Sequence, residues 1–210
     1  MSRSVKFYYG LSGTFKETTI KNNLKLGDDV LWSGIKRWKG WESMLGDRIP
    51  KSDLNLALLH LSRLADKEYN LTMDEKTLYV ERGVTDMLYY WLQSHPTGNQ
   101  ETMIKSLVEE ELRVSRIAGG GIQEPEKILL VQKDYEFVEK VVFNEPTRAA
   151  CFPGGIRDYI SSQDRYVDFT KKNNKISEII YINDAREYLE SIGVAWKLDD
   201  NDEINKQFKS

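Results

Sequence analysis

A glycine-containing segment near the N-terminus carries the residue types that bind phosphate. Glycines let the chain turn so that several backbone N–H groups point at one place, and the start of a following helix adds positive potential. A lysine then reaches the terminal phosphates, and a Ser or Thr hydroxyl helps to hold Mg²⁺. This chemistry predicts ATP binding by a nine-residue loop: Gly10, Leu11, Ser12, Gly13, Thr14, Phe15, Lys16, Glu17 and Thr18. Lys16 is its catalytic candidate and Thr18 its candidate Mg²⁺ ligand.

This loop departs from the usual pattern of Gly, four residues, Gly-Lys and then Ser or Thr. Phe15 stands where the second glycine is expected and Glu17 stands in the Ser/Thr position, so Thr18 comes one residue late. Phe15 must either adopt the backbone shape of a glycine or mark a reshaped loop. These departures are the best support for an alternative reading, a non-catalytic module that binds NTP or DNA.

A second candidate pair, Glu81 and Arg82, ends the apolar run that starts at Thr77. The carboxylate can hold Mg²⁺ or act as a base, and the sequence leaves these two roles open. The guanidinium can neutralise phosphoryl oxygens as charge develops on them. Glu81 and Arg82 are therefore catalytic candidates, and Glu81 is also a candidate metal ligand.

Together, the two motifs resemble those of thymidylate kinases and deoxynucleoside kinases. In these families an acidic-Arg pair ends an interior strand beside the phosphate loop, and some nucleotide kinases carry an acidic residue and then Thr directly after the loop lysine, as Lys16-Glu17-Thr18 does. The resemblance covers roughly residues 5 to 182 and concerns motifs and element order. It implies an α/β fold of the P-loop NTPase type, with a central parallel sheet flanked by helices and a mobile, arginine-bearing lid. It also implies ATP and Mg²⁺ as cofactors.

The implied lid corresponds to residues 144 to 176, which are polar and charged. Phosphoryl transfer depends on positioning and on cationic stabilisation, so lid arginines are expected to close over the phosphates. The candidates are Arg148, Arg157 and Arg165, and Gly154-Gly155 is a candidate hinge.

The acceptor side is expected in residues 28 to 51, which interleave aromatic and basic residues. Asp28 and Asp29 are placed after a possible second strand, where they could orient or deprotonate a substrate hydroxyl. Tryptophans can stack on bases and cations can contact phosphates, so residues 36 to 51 are a possible DNA contact. The acceptor-binding candidates are Trp32, Lys36, Arg37, Trp38 and Asp86.

Strand and helix patterns alternate along the chain, which predicts a mostly parallel sheet covered by helices. Strands are expected at 5–9, 77–80, 127–131 and 179–182. Helices are expected at about 17–26, 52–65, 85–92, 99–117, 135–142 and 184–191.

Length and composition fit a single kinase domain over residues 1–210, with 40% apolar residues and a net charge of −3. This charge gives no global field that attracts nucleic acid. Cys151 is the only cysteine, no secretory signal is evident, and no apolar run approaches the ~20 residues that cross a bilayer. A cytoplasmic protein without membrane association is therefore expected.

Four functions remain open. A kinase could phosphorylate a free (deoxy)nucleoside monophosphate. It could instead phosphorylate a modified base in DNA, such as 5-hydroxymethyluracil, as kinases of bacteriophages with hypermodified DNA do. A base in DNA requires an open basic groove and usually a flipped base. The third possibility is the non-catalytic module, and the fourth is an ATPase or GTPase, for which no guanine-specificity motif is evident.

Overall fold

The computed structural model describes residues 4–32, 60–62, 64, 76–94, 101–118 and 124–196. Its strands are β1 Ser4–Tyr9, β2 Asp29–Leu31, β3 Thr77–Glu81, β4 Glu126–Gln132 and β5 Glu178–Ile182. The first helices are α1 Lys16–Asn23, α2 Val84–Ser94 and α3 Glu101–Ala118. The short helix α4, Tyr135–Phe137, continues into a π-helical turn, Val138–Val142, and is followed by α5 Pro146–Ala149, α6 Ile156–Asn173 and α7 Ala185–Ser191. Residues 60–62 and 64 are also helical.

The five strands form one parallel sheet in the order β2-β3-β1-β4-β5. In the central strand, Phe7 lies opposite Val80 of β3 on one side and Lys127 of β4 on the other. Because all strands run the same way, their carboxyl ends meet at one edge of the sheet, which is where ligands bind in open α/β folds. The expected α/β architecture is therefore confirmed.

Alternate residues of the strands point to opposite faces of the sheet, and each face has its own core. Phe7, Val80 and Leu129 pack on one face, against residues of α2, α3 and α6. Tyr8 and Leu130 pack on the other face, against residues of α1, the 135–142 segment and α7. The near-continuous burial of β4 follows from this cover on both sides.

Two segments differ in the structure from what the sequence predicted. Helix α1 stops at Asn23 rather than near residue 26, because Leu24 is extended and Gly27 turns with φ 94°. The polar segment 144–176 contains a long core helix, α6, with four buried side chains. Of the helix expected at 52–65, only residues 60–62 and 64 lie within the described residues. Among the described helices, none is long and apolar enough to cross a membrane.

Candidate phosphoryl-transfer site

The loop from Gly10 to Phe15 joins β1 to α1 at the carboxyl edge of the sheet. Gly10 has φ 150°, and a Cβ there would lie 2.5 Å from Thr14 Oγ1 and 2.8 Å from the Leu130 carbonyl oxygen. Gly13 has φ 83°, and its Cβ would lie 2.8 Å from a methyl group of Val142. Both positions therefore need glycine, and the loop is closely packed against β4 and the π-helical turn.

Phe15 adopts the left-handed backbone conformation that glycine usually supplies, with φ 58° and ψ 21°. This conformation costs a non-glycine residue about 1–2 kcal/mol. Its buried ring packs against Phe137 at 4.9 Å and Tyr188 at 5.9 Å between ring centroids. The loop thus keeps the backbone of a glycine at this position and gains an aromatic anchor in the core.

The Lys16 ammonium is buried and bonds to its own loop. It donates to the carbonyl oxygens of Gly10 at 2.6 Å and Leu11 at 2.8 Å, and to Thr14 Oγ1 at 3.2 Å. Burial, and then the positive charge of Arg82, lower the pKa of Lys16 to about 7, although Glu81 and Asp86 oppose this shift. Lys16 is the first residue of helix α1, and it is close enough to Glu81 and Arg82 for their charges to influence its pKa.

The hydroxyl groups near the loop differ in their availability. Thr14 Oγ1 donates to the Leu11 carbonyl oxygen, and Thr19 Oγ1 bonds to Phe15 and Tyr188. The half-buried Thr18 hydroxyl makes no hydrogen bond with any residue that the structure describes. Thr18 therefore stays a candidate Mg²⁺ ligand.

Glu81 and Arg82 lie at the carboxyl end of β3, beside the end of β1. Glu81 is in register with Tyr8, and the Arg82 amide donates to the Tyr8 carbonyl oxygen at 2.9 Å. Arg82 has a left-handed backbone with φ 59°. The structure therefore brings Lys16, Glu81 and Arg82 to the same edge, as the motifs predicted.

The Arg82 side chain is close to aromatic and acidic groups but is not paired with them. Its Cζ lies 5.9 Å from the centre of the Tyr90 ring. Its buried Nε has no hydrogen-bond partner within the described part of the chain. Burial alone would lower the pKa of Arg82, but Tyr90, Asp86 and Glu81 raise it above its ordinary value. A permanently charged group with a free buried nitrogen suits an anionic ligand.

Asp86 is 1% exposed and accepts hydrogen bonds on both oxygens. The Tyr166 hydroxyl donates to Oδ1 at 2.6 Å, and the Gly83 amide donates to Oδ2 at 3.3 Å. Burial raises the pKa of Asp86 to about 6, against the opposing effects of Arg82, Tyr166 and Lys16. Sequence reasoning expected Asp86 to contact the acceptor, whereas in the structure its carboxylate accepts hydrogen bonds from Tyr166 and from the Gly83 amide.

Asp28 and Asp29 do not follow the second strand, so that expectation was wrong. β2 begins at Asp29, which pairs with Leu78 at the amino end of β3, opposite to the edge that carries Glu81. Asp28 accepts from the amides of Thr77 and Lys25, both at 2.9 Å. It therefore fixes a turn at the far edge of the sheet.

The expected lid and acceptor residues fall in different places. Arg148 pairs with Glu145 at 2.7 Å and contributes to the lowered pKa of Lys16. Arg157 is exposed on α6, and Arg165 bonds to serines of its own helix. Trp32 packs against the core on the α1 side of the sheet. Lys36, Arg37 and Trp38 lie outside the described residues.

Sequence reasoning missed that helix α6 holds the loop from Gly10 to Phe15 in place. Tyr159 donates to the Ser12 carbonyl oxygen at 2.8 Å, and Tyr166 accepts from the Gly10 amide at 2.9 Å. Gln163 bonds to the backbone of Gln132, whose side chain donates to the Gly13 carbonyl oxygen at 2.9 Å. The buried positions 159, 163, 166 and 170 follow a helical period. This spacing was the available signal, but the polar ends of the side chains concealed it.

No family model matches the chain, and no curated protein does. Two solved thymidylate kinases have similar folds. The enzyme from Candida albicans is 12% identical, with 87% of this chain and 85% of that chain covered and a TM-score of 0.50. The enzyme from Ehrlichia chaffeensis is 15% identical, with 98% and 94% covered and a TM-score of 0.49. At this level of identity the likeness to the Candida enzyme concerns the fold alone, and it agrees with the parallel, helix-covered sheet described above.

Proposed function

We propose that this protein is an ATP-dependent phosphotransferase that moves the γ-phosphate of ATP to a nucleotide-type acceptor. The observation that carries the proposal is the half-buried Arg82 side chain near Lys16, because its buried Nε has no hydrogen-bond partner within the described part of the chain. Neither cation forms an ion pair with a carboxylate among the described residues, although both are at the carboxyl edge of the sheet. A buried lysine and a half-buried arginine without a paired carboxylate are costly in free energy unless an anionic ligand binds them.

Each residue has a proposed role in the transfer. Lys16 and Arg82 offset the negative charge on the phosphoryl group as it moves, which is the main contribution that a protein makes to this reaction. Thr18 and Glu81 are the residues that would hold Mg²⁺, which supplies charge neutralisation when bound. Arg148 lies on the segment before α6, and its positive charge contributes to the lowered pKa of Lys16. This influence supports Arg148 as the lid arginine.

The nature of the acceptor is the finer part of the proposal. Thymidylate kinase folds support a free deoxynucleoside monophosphate as the acceptor. The basic aromatic stretch at residues 36–51 supports a modified base in DNA, such as 5-hydroxymethyluracil in a phage pathway. A cytoplasmic setting fits the single cysteine, which leaves no internal disulfide possible.

The test is transfer of radiolabelled γ-phosphate from ATP with Mg²⁺ to three acceptors side by side. These are deoxynucleoside monophosphates, plain duplex DNA and duplex DNA containing 5-hydroxymethyluracil. Label on a free nucleotide identifies a nucleotide kinase, and label only on modified DNA identifies a DNA-base kinase. ATP binding without label on any acceptor would contradict the proposal and favour the non-catalytic module. DNA binding that weakens steeply with salt would support the basic stretch as a DNA contact.

Replacement of the loop lysine tests the site itself. We expect Lys16→Ala to lower the transfer rate by at least about 10²-fold, because it removes a transition-state cation. The matched control is Lys21→Ala on the same helix, because Lys21 is exposed and, among the residues that the structure describes, forms an ion pair with Glu17 alone, at 2.9 Å. Full activity in Lys16→Ala, with folding of both variants verified by circular dichroism, would rule out this phosphate-binding loop.

A further inference from the structure

A continuous hydrogen-bond chain crosses the site beneath its two motifs. It starts at the Gly10 amide, which donates to the Tyr166 hydroxyl at 2.9 Å. The same hydroxyl donates to Asp86 Oδ1 at 2.6 Å, and the second oxygen of Asp86 accepts from the Gly83 amide at 3.3 Å. Tyr166 and Asp86 are 0% and 1% exposed. The chain therefore connects the first residue of the phosphate loop with the residue that follows Arg82.

Both ends of this chain are positions where the backbone is constrained. Arg82 has φ 59°, a conformation that a non-glycine residue keeps only when its surroundings enforce it. The next two amides are each held by a buried carboxylate, Gly83 by Asp86 and Val84 by Glu111 at 2.6 Å. Of these two carboxylates, Asp86 is the one whose bonds also reach the phosphate loop.

We propose that Tyr166 is a positioning residue that couples the ATP-binding loop to the Glu81-Arg82 segment through Asp86. A shift of the loop at Gly10 moves the Tyr166 hydroxyl, and this changes the hydrogen bond between Asp86 and the Gly83 amide. Because Gly83 follows Arg82, the orientation of the Arg82 guanidinium changes as well. Nucleotide binding to the loop thereby sets the position of the arginine that faces the transferred phosphoryl group. This inference rests on the proposed function, but its first test does not depend on activity.

The same helix offers a matched control. Tyr159 is also 0% exposed, and its hydroxyl also bonds to the phosphate loop, at the Ser12 carbonyl oxygen. No hydrogen bond joins Tyr159 to Asp86 within the residues that the structure describes. Tyr159→Phe and Tyr166→Phe each remove one hydroxyl that contacts the loop, but only Tyr166→Phe cuts the connection to Gly83.

The first experiment measures amide hydrogen exchange by NMR on the full chain without ligand. We expect Tyr166→Phe to speed exchange at Gly10 and at Gly83 by about tenfold or more. We expect Tyr159→Phe to leave Gly83 as in the wild type. If Tyr166→Phe affects Gly10 but not Gly83, or if both variants affect Gly83 equally, the coupling role is wrong.

The second experiment adds a non-hydrolysable ATP analogue with Mg²⁺ and follows the Gly83 amide. We expect the analogue to slow exchange at Gly83 in the wild type and in Tyr159→Phe, but not in Tyr166→Phe. If the wild type binds no analogue, the proposed function is contradicted. The first experiment, which needs no ligand, then tests the hydrogen-bond connection between Gly10 and Gly83 by itself. A Tyr166→Phe variant that binds the analogue and still protects Gly83 would overturn the inference.

Asp86→Asn supplies an independent variant in case Tyr166→Phe does not fold. It keeps an oxygen that can accept from Tyr166, but its amide nitrogen cannot accept from Gly83. We expect it to speed exchange at Gly83 while Gly10 stays protected, and to lower kcat by about tenfold with less change in the KM for ATP. Gly83 exchange equal to that of the wild type would contradict the proposed link.

Discussion

Lys16 is held in the free protein by the carbonyl oxygens of its own loop, and its pKa is lowered to about 7. At pH 8 much of this lysine is therefore neutral before nucleotide binds. Bound phosphates favour the charged form and raise its pKa. Binding at pH 8 is thus linked to protonation of one side chain.

We expect ATP binding at pH 8 to take up a proton. The measurement is isothermal titration calorimetry in two buffers that differ in ionisation enthalpy. Lys16→Arg is the matched control, because arginine is always charged and binds phosphate without taking up a proton. Equal binding enthalpies in the two buffers for the wild type would show that Lys16 is already charged in the free protein.

Phe15 allows the cost of its backbone conformation to be separated from the value of its ring. Phe15→Ala and Phe15→Gly both remove the contacts with Phe137 and Tyr188, and both should lower the free energy of unfolding. At φ 58° the alanine is strained and the glycine is not. We expect the glycine variant to be the more stable of the two by about 1 kcal/mol in urea denaturation. An alanine variant of equal or higher stability would mean that the loop relaxes out of the left-handed conformation.

At the scale of elements, the π-helical turn limits the space around the phosphate loop. A side chain at Gly13 would lie 2.8 Å from Val142, whereas a side chain at Gly155 would meet nothing within 4 Å. Both glycines have positive φ values, 83° and 67°. The two positions therefore share backbone strain and differ in steric contact.

We expect Gly13→Ala to weaken ATP binding by about tenfold or more, because the loop must move away from Val142. Gly155→Ala, which adds only strain, is the control and should affect binding less. Val142→Ala removes the opposing methyl groups and should restore part of the affinity of Gly13→Ala, measured by calorimetric titration. The absence of any rescue would contradict the steric explanation.

The elements that sequence reasoning found are those with strong local signals. β3 and β4 are apolar runs in a sheet covered on both faces, and Glu81-Arg82 follows the end of such a run, so their place at the sheet edge was predictable. β2 is three residues long, which is too short for a pattern, and Asp28 and Asp29 were therefore assigned to the wrong end of it. Tyr166 acts through a contact 156 residues away from Gly10, which no local pattern indicates.

At the scale of the whole molecule, ionisation of Asp86 is coupled to folding. Its pKa rises from 3.8 to about 6 because the carboxyl group is buried, so the folded state binds its proton more tightly than the unfolded state does. Below about pH 4 both states are protonated and the difference is absent. As pH rises from about 4 to about 6, the folded protein loses stability relative to the unfolded chain.

We expect the free energy of unfolding of the wild type to fall relative to that of Asp86→Asn across this pH range. The size of the change is on the order of 2 kcal/mol. Urea denaturation of both proteins between pH 4 and pH 7 measures it, and the Asn variant is the reference for titrating groups that do not interact with Asp86. A difference that stays constant with pH would show that Asp86 titrates alike in both states.

The attachment of the phosphate loop to α6 has a consequence for protein engineering. Residues 10–16 are contiguous in the sequence, yet two of the side chains that bond to their backbone, Tyr159 and Tyr166, come from a helix that begins at residue 156, and a third, Gln132, ends β4. A chimera that exchanges only the loop would receive its sequence without the scaffold that shapes it. A graft that keeps these contacts comprises β1, α1, the carboxyl end of β4 and the buried side of α6 together.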